Sequence, residues 1–323
     1  MLRCLAAGSS ALRPVLEAPA RPADCLGVTR GALYLKTAVL PGLLAILTHD
    51  AVRLPCGLVL AATSAELPLT SAARPDSPGR FVVGDGEVRW TGPVGPVVVS
   101  AVREWAPARV SQGEVAPDAL ATVRSRLSRA DPGIDGQLLA DLAAAPCDRA
   151  ASVASATRLL GNGPGLTPSG DDVLAGFLVG ATAFGFDAAA LREATAVLAP
   201  ARTTALSAAL LWHAARGECI DELASLAAVL TSRGRCQPGE AGRAVARLVS
   251  VGHTSGTALA FGLVTAAERA LAGTGLADTV LADAVLADTL LAGTGLADTV
   301  LAESGRAEAG RAEAGRAERG DAA

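Results

Sequence analysis

The sequence predicts an α+β chain: an N-terminal, mainly antiparallel β region followed by an all-helical domain. One change of texture along its 323 residues carries that prediction. Up to about Pro117, short apolar runs are punctuated by glycine and proline, and no helical periodicity interrupts them. Beyond that point, alanine- and leucine-rich segments of helical length take over. A second change comes near Gly273, where a five-residue period sets in. The expected divisions are a variable N-terminus over 1–25, a β domain over 26–116, a helical domain over 117–271 and a low-complexity tail over 272–323.

In the β region, Leu26–Leu35, Ile46–Leu54 and Gly57–Ala62 read as strands. The clearest local signal is Phe81 to Trp90, two alternating runs separated by Asp85-Gly86, because that pair tolerates the positive φ of a tight hairpin. Val97–Val102 supplies another strand, which ends at Trp105-Ala106-Pro107. The expectation is an antiparallel sheet or small barrel.

The helical half reads as Ala119–Leu127, Gln137–Ala145, Ser152–Leu160, Asp172–Phe184, Ala188–Leu198, Leu206–Arg216, Ile220–Leu230 and Ala258–Leu271. Leu206, Leu210, Leu211 and Ala214 line one face of their helix, and Gly217 follows as its stop. In the tail, the ten residues from Gly273 recur identically from Gly293, and Gly-Arg-Ala-Glu units begin at Gly305, Gly310 and Gly315. A five-residue period turns about 140° per repeat around an α-helix, so its leucines form no stripe. The tail reads as a repeat expansion without a fixed fold.

Composition narrows the function. Half the residues are apolar and 19% are charged, enough to bury a sizeable core. A net charge of −4 gives no basic footprint for nucleic acid. No run reaches the roughly 18 uncharged apolar residues of a membrane span; Val173–Phe186 comes nearest and reads as a buried core helix. Arg13, Pro14 and Glu17 interrupt anything resembling a secretory signal. Cys4, Cys25, Cys56, Cys147, Cys219 and Cys236 are scattered with no C-x-x-C pair, so a cytoplasmic chain with buried thiols is expected.

One segment stands above this background: Gly161-Asn162-Gly163-Pro164-Gly165-Leu166-Thr167-Pro168-Ser169-Gly170-Asp171-Asp172. Thr167-Pro168 reads as a capped helix start, and the loop before it is nearly free of side chains. Free N–H groups of Ser169 and Gly170 at the positive end of a helix dipole favour an anion. Asp171 and Asp172 suit a first turn but repel a phosphate unless a cation intervenes. A hydrolase or phosphotransferase in which that pair holds Mg²⁺ beside a phosphate is therefore one alternative. A capped helix whose Gly176 and Gly180 permit close packing is the plainer one.

Two further helix starts share the texture. Gly252-His253-Thr254-Ser255-Gly256 precedes the last helix, and Arg202-Thr203-Thr204 with Ser207 adds a cation beside hydroxyls. Three polar, side-chain-poor starts in one helical domain suggest one shared anion pocket. No G-x-S-x-G elbow, Walker lysine or G-x-G-x-x-G after a strand is present. His49 and His213 are weaker candidates than His253.

Leu160 to Gly176 resembles the signature of a bacterial family first described as a domain of unknown function. Some of its members are AllH-type subunits of oxamate carbamoyltransferase. Arg202–Ser207 and Gly252–Gly256 resemble the family's two later blocks, and Trp105-Ala106-Pro107 resembles the end of its strand region. The likeness covers roughly Leu26 to Leu271. Asn162 departs from it, where a small or apolar residue is expected, and the tail has no counterpart.

The resemblance implies carbamoyl transfer between oxalurate and phosphate in allantoin breakdown. It implies an assembly with other subunits, one of them similar to acyl-CoA synthetases. Expected ligands are carbamoyl phosphate, oxamate or oxalurate, with no cofactor assigned beyond Mg²⁺ in the alternative above, and neither nucleic acid nor membrane is expected as partner. Tetrahedral oxyanion chemistry of this kind needs aimed donors more than a nucleophile. The helix starts and Arg202 would supply them, with Asp171, Asp172 and His253 as candidate catalytic groups. A non-catalytic assembly subunit remains a further alternative.

Overall fold

The computed structural model describes residues 1–73, 81–93, 95–231, 237 and 239–273. The repeats beyond Gly273 and Cys236 lie outside the described residues. In chain order the elements are β1 (Leu2–Ser9), α1 (Arg13–Leu16), β2 (Arg21–Val28), β3 (Ala32–Lys36), β4 (Leu43–Leu47) and β5 (Gly57–Leu60). The short α2 (Leu69–Ala72), β6 (Phe81–Gly84), β7 (Glu87–Gly92), β8 (Gly95–Trp105) and β9 (Ala108–Arg109) follow. The helical part runs α3 (Pro117–Leu127), α4 (Gly136–Ala144), α5 (Arg149–Leu159), α6 (Ser169–Phe184), α7 (Ala189–Arg202) and α8 (Ala205–Ala214). It ends with β10 (Glu218–Cys219), α9 (Asp221–Thr231), α10 (Glu240–Val249) and α11 (Ser255–Gly273).

The β region closes into a barrel in the order β1-β5-β4-β3-β2-β6-β7-β8. The sheet is mixed, which corrects the antiparallel expectation in part: β1 runs parallel to β8 and β4 parallel to β5. A second correction lies at the N-terminus. The strands begin at Leu2, not Leu26, and β1 closes the barrel by pairing with both β5 and β8. The β6–β7 hairpin turns at Asp85 and Gly86, with φ of 53° and 78°, as an Asp-Gly turn demands. Leu26–Leu35 divides into the ends of β2 and β3 around a turn closed by Thr29, whose hydroxyl accepts the Ala32 N–H.

Leucine and valine fill the barrel; Leu33, Leu35, Leu43, Leu58 and Val88 are wholly buried. Leu206 and Ala209 of α8 belong to the same cluster, so this helix docks on the barrel wall. The helical part is not entirely helical, because β10 pairs with β9. Its second core is built around α6, buried from Ser169 to Ala181 on every face. A helix apolar all round needs neighbours on all sides. Glycines let them come close: a Cβ on Gly176 or Gly262 would overlap the backbone carbonyl of Leu259 or Val173, so α6 and α11 touch backbone to backbone.

Candidate functional site

Asp171 and Asp172 are adjacent on α6, and successive helix positions point about 100° apart. Each therefore reaches a different neighbour. The Asp171 carboxylate accepts the Gly161 N–H at 2.9 Å and the Thr203 hydroxyl, with the Ser207 hydroxyl as a further donor. Asp172 receives hydrogen bonds from Ser255 and Thr167. The Thr167 and Ser255 hydroxyls themselves lie 2.8 Å apart. The two carboxyls thus tie the glycine-rich loop to the starts of α8 and α11.

Further bonds hold this convergence. Thr204 caps α8, accepting the Ser207 N–H at 3.0 Å, while its own hydroxyl donates to the Leu166 carbonyl at 2.6 Å. Gly161, at φ 75°, lies where a Cβ would overlap the Arg202 carbonyl oxygen. Gly163, at φ 115°, packs on the α6 start, where a Cβ would stand 2.9 Å from the Ser169 nitrogen. Ser169 in turn covers Gly133. At the other start, a Cβ on Gly256 would overlap the Leu248 carbonyl, which seats α11 against α10.

Burial sets the electrostatics. Asp171 and Asp172 are 2% and 6% exposed. Desolvation disfavours their charged forms and raises both pKa values, Asp172 to about 8. The hydroxyl hydrogen bonds pull the other way, and for Asp172 the neighbouring Asp171 adds to the rise. One Asp172 oxygen, Oδ2, is buried without a hydrogen-bond partner. Near neutral pH this side chain is largely a neutral carboxylic acid, which need not repel a phosphate.

The remaining predicted residues lie around this cluster with different roles. Pro168, not Thr167, occupies the cap position of α6, and it supplies no side-chain bond. The Gly170 N–H is not free for an anion, since it donates to the Asn162 carbonyl at 2.8 Å. Gly163 and Gly165 are exposed, Asn162 is half-buried, and His253 and Thr254 are exposed on the loop entering α11. The exposed Arg202 guanidinium reaches back to the Thr157 carbonyl at 3.3 Å. Among the described residues no three His, Cys, Asp or Glu side chains gather in metal-binding range.

Sequence reasoning passed over one buried ionisable pair. His213 on α8 is wholly buried, its Nδ1 2.7 Å from Glu218 Oε2, and Arg109 donates to the other Glu218 oxygen at 2.5 Å. The signal was available in the five-residue step from His213 to Glu218 across the Gly217 stop. Arg109, on β9, lies too far off in sequence for any spacing rule to find.

No curated protein and no solved structure matches the chain. No helix among the described residues is long and apolar enough to cross a membrane. Residues 159–267, from the last residue of α5 into α11, match the model of the family described as oxamate carbamoyltransferase subunit AllH, the family whose signature the Leu160–Gly176 block resembles.

Proposed function

We propose that the chain is a subunit of an oxamate carbamoyltransferase assembly, and that the cluster around Asp171 and Asp172 handles the carbamoyl group. The observation that carries this reading is the buried Asp172, its Oδ2 without a partner and its pKa raised by desolvation, where three polar helix starts meet, inside the segment that matches the family. A carboxyl kept neutral by an apolar site can donate a hydrogen bond or a proton at pH 7. In the reaction, a phosphate oxygen attacks the ureido carbonyl carbon of oxalurate, and the carbon–nitrogen bond to the oxamate portion breaks. Asp172 gives its proton to the departing nitrogen, and the proton lost by phosphate restores the acid. Arg202 would pair with the carboxylate of the substrate. His253 is the alternative proton carrier.

A second reading, an assembly subunit without chemistry of its own, draws on a different observation. The hydroxyls and amides of the three starts are largely spent on one another. Asp172→Asn separates the two in the reassembled multi-subunit enzyme, with oxamate release from oxalurate and phosphate as the readout. Loss of a proton-donating group lowers turnover by about 100-fold or more. The chemical reading expects that loss with no fall in melting temperature at pH 7–8. Undiminished turnover overturns it and leaves the assembly reading.

A further inference from the structure

We propose that the outer wall of the barrel carries a separate binding site for a small organic anion with a planar, apolar body. Where β1 lies between β5 and β8, outward-facing residues form a cleft of about 420 Å³, with Leu5, Val59, Val102 and Trp105 as its apolar surface. That size falls within the ~300–1,000 Å³ of small-molecule sites, well short of a protein-docking face. None of its lining residues belongs to the Asp171–Asp172 cluster.

The local backbone builds this surface deliberately. The β1–β8 register passes from Ala6 opposite Ala101 to Ala7 opposite Arg103, so Val102 is an extra, bulged residue. A bulge breaks the in–out alternation and re-aims side chains. Here it turns both Val102 and Arg103 outward in succession, and the cleft keeps apolar side chains in water: Leu5 is 60% exposed and Val102 56%. Trp105 is held at the margin by its indole N–H, which donates to the Ala7 carbonyl at 3.2 Å. Its indole lines the cleft.

The charge at this cleft is one-sided. Arg103 from the bulge and Arg53 from the β4–β5 connection both line it, with the His49 imidazole beside them. Neither arginine enters an ion pair among the described residues, whereas Arg13, next to this wall, is taken up by Glu104. Two unspent guanidinium groups in one cleft with an indole fit a carboxylate or phosphate on a planar body, since guanidinium binds both anions in a fork.

Titration of the full chain with phenyl phosphate and with benzoate tests the proposal, read at the Trp105 indole N–H resonance, assigned with Trp105→Phe. Both probes should shift that resonance saturably. Arg53→Ala and Arg103→Ala, exposed positions that leave the fold intact, should each weaken the dissociation constant by about tenfold. Phenol and inorganic phosphate should give no saturation. The site is wrong if neither aromatic anion saturates, or if both arginine variants bind as tightly as the parent. It is equally wrong if inorganic phosphate saturates the resonance as tightly as phenyl phosphate does.

Discussion

The Thr167 and Ser255 hydroxyls meet at 2.8 Å although 88 residues separate them in sequence. Both also bond to Asp172. This contact closes the start of α6 onto the start of α11, and it gives the buried carboxyl of Asp172 two of its supports.

Replacing Ser255 with alanine removes one donor to the charged form of Asp172. Its pKa should then climb further above 8, and the protein should lose about 1 kcal/mol of stability, the usual net worth of such a bond. Chemical denaturation as a function of pH reads both effects. An unmoved titration midpoint would show that the Ser255 bond does not tune this carboxyl, whose pKa is then set by desolvation and Asp171.

The raised pKa of Asp172 carries a definite sign. Between the unfolded value of 3.8 and the folded value of about 8, the folded state holds a proton that the unfolded state releases. Stability from this group is present at low pH and lost as pH rises toward 8, at up to about 1.4 kcal/mol per pH unit. Asp172→Asn should flatten that slope and make the protein more stable than the parent at pH 8. Parallel stability curves for the two proteins would refute it.

Backbone interlock of α6 and α11 predicts a sharp contrast among glycines. Gly176→Ala and Gly262→Ala place a methyl group into an opposing carbonyl and should cost about 3 kcal/mol or more, or abolish cooperative unfolding. Gly136→Ala, at the first position of α4 with open space around it, should be neutral or stabilising by up to ~1 kcal/mol. Thermal melts of the three variants decide the matter.

Glu218 bridges the buried His213 and the exposed Arg109. Its pKa is held down, first by the His213 hydrogen bond, so its contribution is present above the ordinary glutamate range and lost as pH falls. Glu218→Leu strands a buried imidazole and should cost roughly 3 kcal/mol. Arg109→Ala removes a solvent-exposed partner, and a loss below ~1 kcal/mol is expected. Equal losses for the two variants would show that the arginine anchors β9 to β10.

Local chemistry settled much of this protein. The Asp85-Gly86 turn, the strand-then-helix order and most helix positions follow from backbone preference and apolar periodicity, which are properties of neighbouring residues. The α10 helix was legible but went unread: Ala241, Ala244, Val245 and Leu248 recur at i, i+3, i+4 and i+7 and form its buried stripe, with arginines on the opposite face. β1 was also missed, since its inward side chains are as small as Ala6 and Gly8 and declare no alternation of size. The polar helix starts at Thr167, Thr203 and Ser255 were legible as types of residue. That Asp171 serves one start and Asp172 another was not, because it depends on which helices flank α6. Barrel closure through parallel pairing of β1 with β8, the occupied Gly170 N–H and the burial that protonates Asp172 also come from distant parts of the chain. Desolvation and long-range pairing arise only when remote segments exclude water together, so the tertiary structure alone decides them.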